Sequence, residues 1–216
     1  MPIVISPPSE VREQRFVLNH VGWETYERLL ADHMDASSPR FTYNQGVLEI
    51  VTLSSEHEDV NEVMARTVDL VAEELGVEFK ALGSTTFRRP DLERGAEPDS
   101  CFYVQSVERV RGKREIDLST DPPPDLVIEV EISTPTVSKL PVYASFGVPE
   151  IWLADGQEVR ILRLLAGEYK RSEQSGVLPP LGESVLSDFL QQSKSLTTLA
   201  WRSVVRNWAR GRSTQG

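Results

Sequence analysis

In the stretch Leu126-Val127-Ile128-Glu129-Val130-Glu131-Ile132 two carboxylates alternate with apolar residues. A period of two puts Leu126, Ile128, Val130 and Ile132 on one face of a strand, and Val127, Glu129 and Glu131 on the other. Like charges so close raise each other's proton affinity and are costly to bury unless a cation or a wet cleft offsets the repulsion. A metal ion is one such offset; an edge strand with a solvated acidic face is the other reading of the same pattern. A further acid, Asp99, stands in Glu97-Pro98-Asp99 directly before the strand-like Cys101-Phe102-Tyr103-Val104, where a loop can aim it into a cleft. Pro-Asp pairs in loops also serve simply as turns. Magnesium prefers hard oxygen ligands and takes only one or two protein carboxylates, so Asp99 and Glu129 would suffice to hold it, with manganese able to stand in.

Lys139 follows Ser138, which reads as the N-cap of a short helix from Leu140 to Phe146 closed at Gly147. A cation in the first turn is disfavoured by the macrodipole by roughly a few tenths of a kcal/mol. Nearby carboxylates or a bound phosphate would reverse that sign, although an exposed lysine tolerates it without any role. Pro141 suits a first turn, whose N–H groups have no intrahelical partner. Upstream, Ser55-Glu56-His57-Glu58 reads as a capping box, with Ser55 as cap and Glu58 reaching back to it. Capping accounts for Glu58; His57 stands near the same helix start and is an auxiliary candidate.

Several elements would position these groups. Val60, Met64, Thr67, Val68, Val71 and Leu75 form one stripe of a long helix ended by Gly76. Trp23, Tyr26, Leu29 and Leu30 mark an earlier helix, followed by a polar turn around Asp35-Ala36-Ser37-Ser38-Pro39. Arg40-Phe41-Thr42-Tyr43 and Val47-Leu48-Glu49-Ile50-Val51 predict a hairpin, Asn44 and Gly46 supplying its positive-φ positions. Further strands are expected at Val77-Glu78-Phe79-Lys80, Thr85-Thr86-Phe87-Arg88, Ile151-Trp152-Leu153-Ala154 and Val159-Arg160-Ile161-Leu162-Arg163-Leu164, the last two joined by an Asp155-Gly156 turn. From Ser184 onward the chain reads as helical, with Trp201, Val204, Val205 and Trp208 on one stripe. The order is mixed α/β, and residues 1–19 read as an extended arm or short edge strand.

The 216 residues suit one domain, with 39% hydrophobic and 26% charged residues and no apolar run near the roughly 18 residues of a membrane span. The N-terminus lacks the pattern of a secretion signal, and the single Cys101 excludes an internal disulfide, so a reducing, cytoplasmic setting is expected. A net charge of −10 works against a nucleic-acid partner, whose phosphates are bound mainly by Lys and Arg. Some of the acids are concentrated in 55–59 and 71–74, which leaves room for a locally basic face. Lys80, Arg88, Arg89, Arg202 and Arg206, with Arg210 and Arg212, are candidates to contact phosphates; the C-terminal arginines also fit the solvated face of a docked helix.

Taken together, these segments resemble the Uma-two family of restriction-endonuclease-like proteins, in particular the branch abundant in cyanobacteria. The resemblance runs from Trp23-Glu24-Thr25-Tyr26-Glu27-Arg28-Leu29-Leu30 through Gly83-Ser84-Thr85-Thr86, Glu97-Pro98-Asp99 and Pro123-Pro124-Asp125-Leu126-Val127-Ile128-Glu129-Val130 to Tyr143-Ala144-Ser145-Phe146-Gly147-Val148-Pro149-Glu150-Ile151-Trp152. It implies a restriction-endonuclease-like PD-(D/E)XK core at 20–200, a mixed β-sheet flanked by α-helices, between the 1–19 arm and a basic C-terminal helix or tail at 201–216. It also implies magnesium-dependent DNA cleavage, with Asp99 and Glu129 as the paired acids and Lys139 as the lysine. The usual lysine lies two residues after the second acid, but that position is Glu131 here; the resemblance places the lysine on the following helix, four residues before Tyr143. Glu131 is then an auxiliary ligand, a base or a solvated acid. A homodimer would let two related sites cut both strands. Two other functions stay open: an inactive nuclease fold that binds nucleic acid or regulates, and an interaction protein with an acidic edge strand.

Overall fold

The structure is a computed structural model that describes residues 13–33, 38–83, 85–133 and 138–213. The start of the predicted arm, the turn at Asp35-Ala36-Ser37 and Ser84 lie outside the described residues.

β1 (Gln14–Leu18) is a short edge strand, followed by α1 (Trp23–Asp32) and the hairpin of β2 (Arg40–Asn44) and β3 (Val47–Thr52). The positive φ values of that hairpin fall on Gln45 and Gly46, not on Asn44, which stays paired in β2 opposite Val47. A two-residue loop of this kind demands left-handed conformations at both its positions, and the register puts Gln45 in the first. The long stripe becomes α2 (Ser55–Leu75), stopped at Gly76, whose φ of 65° satisfies the left-handed cap. Its N-cap is Ser54 rather than Ser55: the Ser54 hydroxyl accepts from the His57 backbone N–H at 3.2 Å. This corrects the capping box by one residue, makes His57 the third helical residue and leaves Glu58 exposed.

After α2 come β4 (Lys80–Ala81), β5 (Phe87–Arg89), β6 (Arg94–Ala96), β7 (Ser100–Tyr103) and β8 (Leu126–Val130). The predicted strand at Val77-Glu78-Phe79-Lys80 shrinks to the pair Lys80–Ala81, because the partner β7 meets it only through Tyr103 and Phe102. Next are α3 (Leu140–Phe146), β9 (Glu150–Ala154), β10 (Val159–Leu165), β11 (Glu168–Ser172), α4 (Glu183–Ser193) and α5 (Thr198–Ser213). Helix α3 begins at Leu140, so Lys139 itself holds the N-cap position instead of the first turn; the Ser138 hydroxyl accepts from Leu140 N–H at 3.3 Å.

Among the described residues the strands form two sheets. One is antiparallel, in the order β1-β3-β2-β6-β5; the other, β11-β10-β9-β8-β7-β4, is mixed, with β8 and β9 as its parallel pair. Helices cover both faces of the mixed sheet. Leu126, Ile128 and Val130 pack with Val60, Met64, Leu186, Phe189, Trp201 and Val205 of α2, α4 and α5, while Val127 packs with Val142, Tyr143 and Phe146 of α3. Helix α5 crosses residue 201 and contributes Trp201, Val205 and Ala209 to this same core. β8 is an interior strand with all five residues buried, which rules out the edge-strand reading of its acids.

The antiparallel sheet is held by an aromatic cluster in which Tyr26 stacks on Tyr43 at 4.9 Å, with Trp23 5.1 Å from Tyr26. Gly95 of β6 touches this cluster: a Cβ there would stand 2.0 Å from the Tyr26 hydroxyl oxygen and 2.6 Å from its ring. Because Tyr26 is fully buried, the ring has little room to retreat. Gly95→Ala is therefore expected to cost about 3 kcal/mol through overpacking. Calorimetry should read this as a fall in Tm of roughly 6–12 °C, and an unchanged Tm would show that the cluster can shift.

Candidate active site

The chain crosses from one sheet to the other between β6 and β7, and Glu97-Pro98-Asp99 is the crossing. The link is fastened at both ends. The Glu97 carboxylate accepts from the Phe41 backbone N–H and from the Thr86 hydroxyl, both at 2.7 Å. Asn61 of α2 donates to the Asp99 carbonyl at 3.2 Å and accepts from the Ser100 hydroxyl at 2.9 Å. Asp99, 3% exposed, is thereby aimed at the end of β8. Its Oδ2 accepts from the Val130 backbone N–H at 2.8 Å and lies 3.2 Å from His57 Nε2. Among the described residues no donor reaches Oδ1.

Glu129, 4% exposed, is the second acid. Lys139 Nζ donates to its Oε2 at 2.6 Å, and the Tyr143 hydroxyl donates to its Oε1. Asp99, Glu129, Glu131, Lys139 and His57 all line one pocket of about 20 Å³, together with Arg15, Arg40, Val51, Leu53 and Val130. That volume is room for about one water-sized occupant.

The two acids have opposite proton affinities. Burial raises the Glu129 carboxyl more than Lys139 offsets it, and with the Asp99 charge adding to the rise the group is pushed up to about 7. Burial also works on Asp99, but the His57 hydrogen bond, the Lys139 charge and the Val130 N–H outweigh it and hold Asp99 below the ordinary carboxylate range. Lys139 is raised, since Glu129 and Asp99 together outweigh the burial that favours its neutral form. Burial lowers His57, yet its hydrogen bond to Asp99 and the surrounding acids bring it out above its usual value. The pocket thus contains a firmly ionised aspartate beside a glutamate poised near neutrality, a division that acid–base and metal sites both exploit.

Not every candidate converges. Glu131 sits just past β8 at the pocket rim, 3.8 Å from Arg160, and burial raises its carboxyl. Glu58 points to solvent and stays out of the pocket. None of Lys80, Arg88, Arg89, Arg202 and Arg206 lines it. Lys80 Nζ donates to the Val110 carbonyl at 3.1 Å, Arg88 faces Glu27 at 3.7 Å and Arg89 pairs with Asp91 at 2.6 Å. Arg206 is committed to Glu73 and Glu74 at 2.8 and 2.6 Å, while Arg202 lines a separate cavity of about 490 Å³ between α2 and the C-terminal helices. Asp125, in another Pro-Asp pair, is a structural residue: its Oδ2 accepts from Val104 N–H, Ser106 N–H and the Ser106 hydroxyl at 2.7–2.9 Å.

Two pocket residues escaped sequence reasoning. Arg15 of β1 and Arg40 of β2 both stand opposite Val51 of β3, so one row across the antiparallel sheet carries Arg15, Val51 and Arg40. Only strand register brings them there, and register is a nonlocal property.

The donor set fits a hard divalent cation. Asp99 Oδ1 receives no donor among the described residues, Glu129 keeps a second lone pair on each oxygen, and the burial that raises its proton affinity is a cost that a bound cation would offset. Among the described residues no group of three or more His, Cys, Asp and Glu side chains is arranged to hold a metal ion, but magnesium needs only one or two carboxylates.

The mixed α/β core presents an aspartate before one strand, a glutamate on its neighbour and a lysine against that glutamate. The family model of Uma2, described as "Putative restriction endonuclease", matches residues 23–199, and the chain belongs to this family. It is similar in structure to a solved protein from Anabaena variabilis ATCC 29413, titled a putative nuclease belonging to DUF820. The TM-score is 0.44 at 15% identity, over 83% of this chain and 98% of that one. None of the curated proteins matches the chain. No helix among the described residues is long and apolar enough to cross a membrane.

Proposed function

We propose that the chain is a magnesium-dependent DNA endonuclease, in which Asp99 and Glu129 hold the cation and Lys139 serves the reacting phosphate. The observation that carries this reading is that the two buried acids open onto one pocket with the Lys139 ammonium 2.6 Å from Glu129. When bound, magnesium would lower the pKa of a coordinated water and neutralise charge on the scissile phosphate. Asp99 would supply Oδ1, which no described residue donates to, with the carboxylate oriented by the Val130 N–H and His57 at Oδ2. Glu129 would offer its carboxylate to the cation, held in place by the Lys139 ammonium at Oε2 and the Tyr143 hydroxyl at Oε1. The Lys139 ammonium, 2.6 Å from Glu129, would orient the attacking water or stabilise charge gathering on the phosphate.

A second reading keeps the fold and drops the chemistry: an inactive nuclease-fold module that binds nucleic acid. It is favoured by Glu131 standing where a lysine is usual and by the close engagement of Lys139 with Glu129. Incubation of plasmid and single-stranded DNA with magnesium, manganese or excess chelator separates the two. Cleavage is expected with either metal and at least about a hundredfold less with chelator. DNA retained by the protein but uncut under every condition would favour the inactive module.

A further inference from the structure

We infer that Arg40 is a phosphate-binding residue of this pocket, receiving a backbone phosphate of the nucleic-acid strand; the inference rests on the nuclease reading for its substrate class.

Arg40 opens β2, where its pairing with Val51 of β3 sets it beside the acids. Residues directly opposite in antiparallel strands share a face, and strands lie about 4.8 Å apart, so Arg15 and Arg40 flank Val51 on the wall that looks onto Asp99 and Glu129. Of the Arg and Lys side chains lining the pocket, two are already neutralised. Arg15 hydrogen-bonds Glu13 at 2.6 Å and reaches Glu49 at 3.4 Å; Lys139 is committed to Glu129. Arg40 makes no ion pair among the described residues, and its Nε is buried with no hydrogen-bond partner. A buried, unsatisfied guanidinium donor is costly, so its presence beside two carboxylates calls for an acceptor that arrives with the ligand.

Charge and space point to the same acceptor. A chain of net charge −10 needs a local cation wherever it meets a polyanion, and the basic residues expected from sequence to do this lie elsewhere. The pocket of about 20 Å³ has room for about one water-sized occupant, so a phosphate oxygen could enter it while the rest of the group stays at its mouth. Arg40 can swing toward the ligand without breaking an ion pair, whereas Arg15 would have to leave Glu13 and Glu49. The planar guanidinium fork also matches two phosphate oxygens in a way that an ammonium does not.

The test measures binding apart from cleavage. Fluorescein-labelled single- and double-stranded oligonucleotides are titrated with the full chain by anisotropy in chelator and in calcium, over a salt series. Arg40→Ala is expected to weaken binding about tenfold and to reduce the slope of log affinity against log salt by about 1. Arg40→Lys should recover the slope but only part of the affinity, while Arg28→Ala, an exposed change on α1, should match wild type. Melting curves guard against misfolding, and Arg40→Lys carries the test if Arg40→Ala is unstable. Wild-type affinity and slope in Arg40→Ala, or a wild-type chain that binds neither oligonucleotide, overturns the inference. Loss of binding in Arg40→Ala, with no cleavage by wild type in any metal, leaves the phosphate site standing and removes the nuclease reading instead.

Discussion

Asp99→Asn should lower metal-dependent plasmid cleavage by about a thousandfold or more, which corresponds to roughly 4 kcal/mol of barrier. The variant keeps the shape of the side chain and an oxygen able to accept from the Val130 N–H, which Asp99 Oδ2 now receives at 2.8 Å. What it removes is the charge. Asp99 is the acid that stays ionised, because burial is outweighed there by His57, Lys139 and the Val130 N–H, and it lines the pocket. Glu129 does not take its place, since burial, the largest cause of its raised proton affinity, persists when the Asp99 charge is gone. With Asp99 neutral, the site loses one of two charges that would attract a divalent cation, and the effect belongs to the chemical step. Asp99→Ala should be as inactive and less stable, because it strips His57 Nε2 and the Val130 N–H of their shared acceptor. Single-turnover cleavage at saturating metal, read beside melting curves, separates the two effects. Cleavage by Asp99→Asn within tenfold of wild type would remove Asp99 from the site.

The parts of this site that were legible in sequence are those set by local rules. The alternation in 126–132 assigned Glu129 to one face of a strand, and the structure places Val127 and Glu129 opposite Leu126, Ile128 and Val130 as that period requires. Asp99 was legible as an acid at a strand start. Lys139 was not: its spacing alone would leave it an ordinary surface lysine, and its candidacy came from the Uma-two resemblance. Arg15 and Arg40 were invisible because they reach the pocket through pairing with Val51, across 36 and 11 residues of chain. The same nonlocality hid β6, whose Arg94-Gly95-Ala96 has no alternation of its own and is a strand because β2 and β5 pair with it. Val77 and Phe79 were apolar enough to suggest a strand, yet they are spent on packing against the core, with only Lys80–Ala81 left to pair. The one-residue slip at the head of α2 has a different origin. Ser54-Ser55 offers two caps, and choosing Ser54 turns His57 inward to Asp99, a tertiary gain that local capping rules do not weigh.

Lys139→Met tests whether that lysine is part of a built site or an incidental neighbour. The Lys139–Glu129 pair is largely buried, with the two side chains 16% and 5% exposed. Removing one partner of such a pair leaves an uncompensated charge, and the expected loss at pH 8 is about 4 kcal/mol. In a chain of this size that is a fall in Tm of roughly 8–16 °C. The loss should depend on pH in a definite direction. Glu129 is raised from 4.5 to about 7 in the folded protein, so the fold binds this proton more tightly than the unfolded chain does. Its contribution to stability is fully present below about pH 4.5 and is lost as pH rises through about 7. Without the Lys139 charge the folded carboxyl should titrate higher still. The Lys139→Met penalty should therefore be greatest above pH 7 and shrink toward pH 5, where Glu129 is protonated and no bare charge is left behind. Adding Glu129→Gln to Lys139→Met should recover much of the stability at pH 8, because a neutral amide needs no counter-ion. Chemical denaturation of the four proteins of this cycle at pH 5 and pH 8 gives the coupling directly. A Lys139→Met protein as stable as wild type at pH 8 would mean that the ammonium lies in solvent and that Glu129 is held by Tyr143 alone.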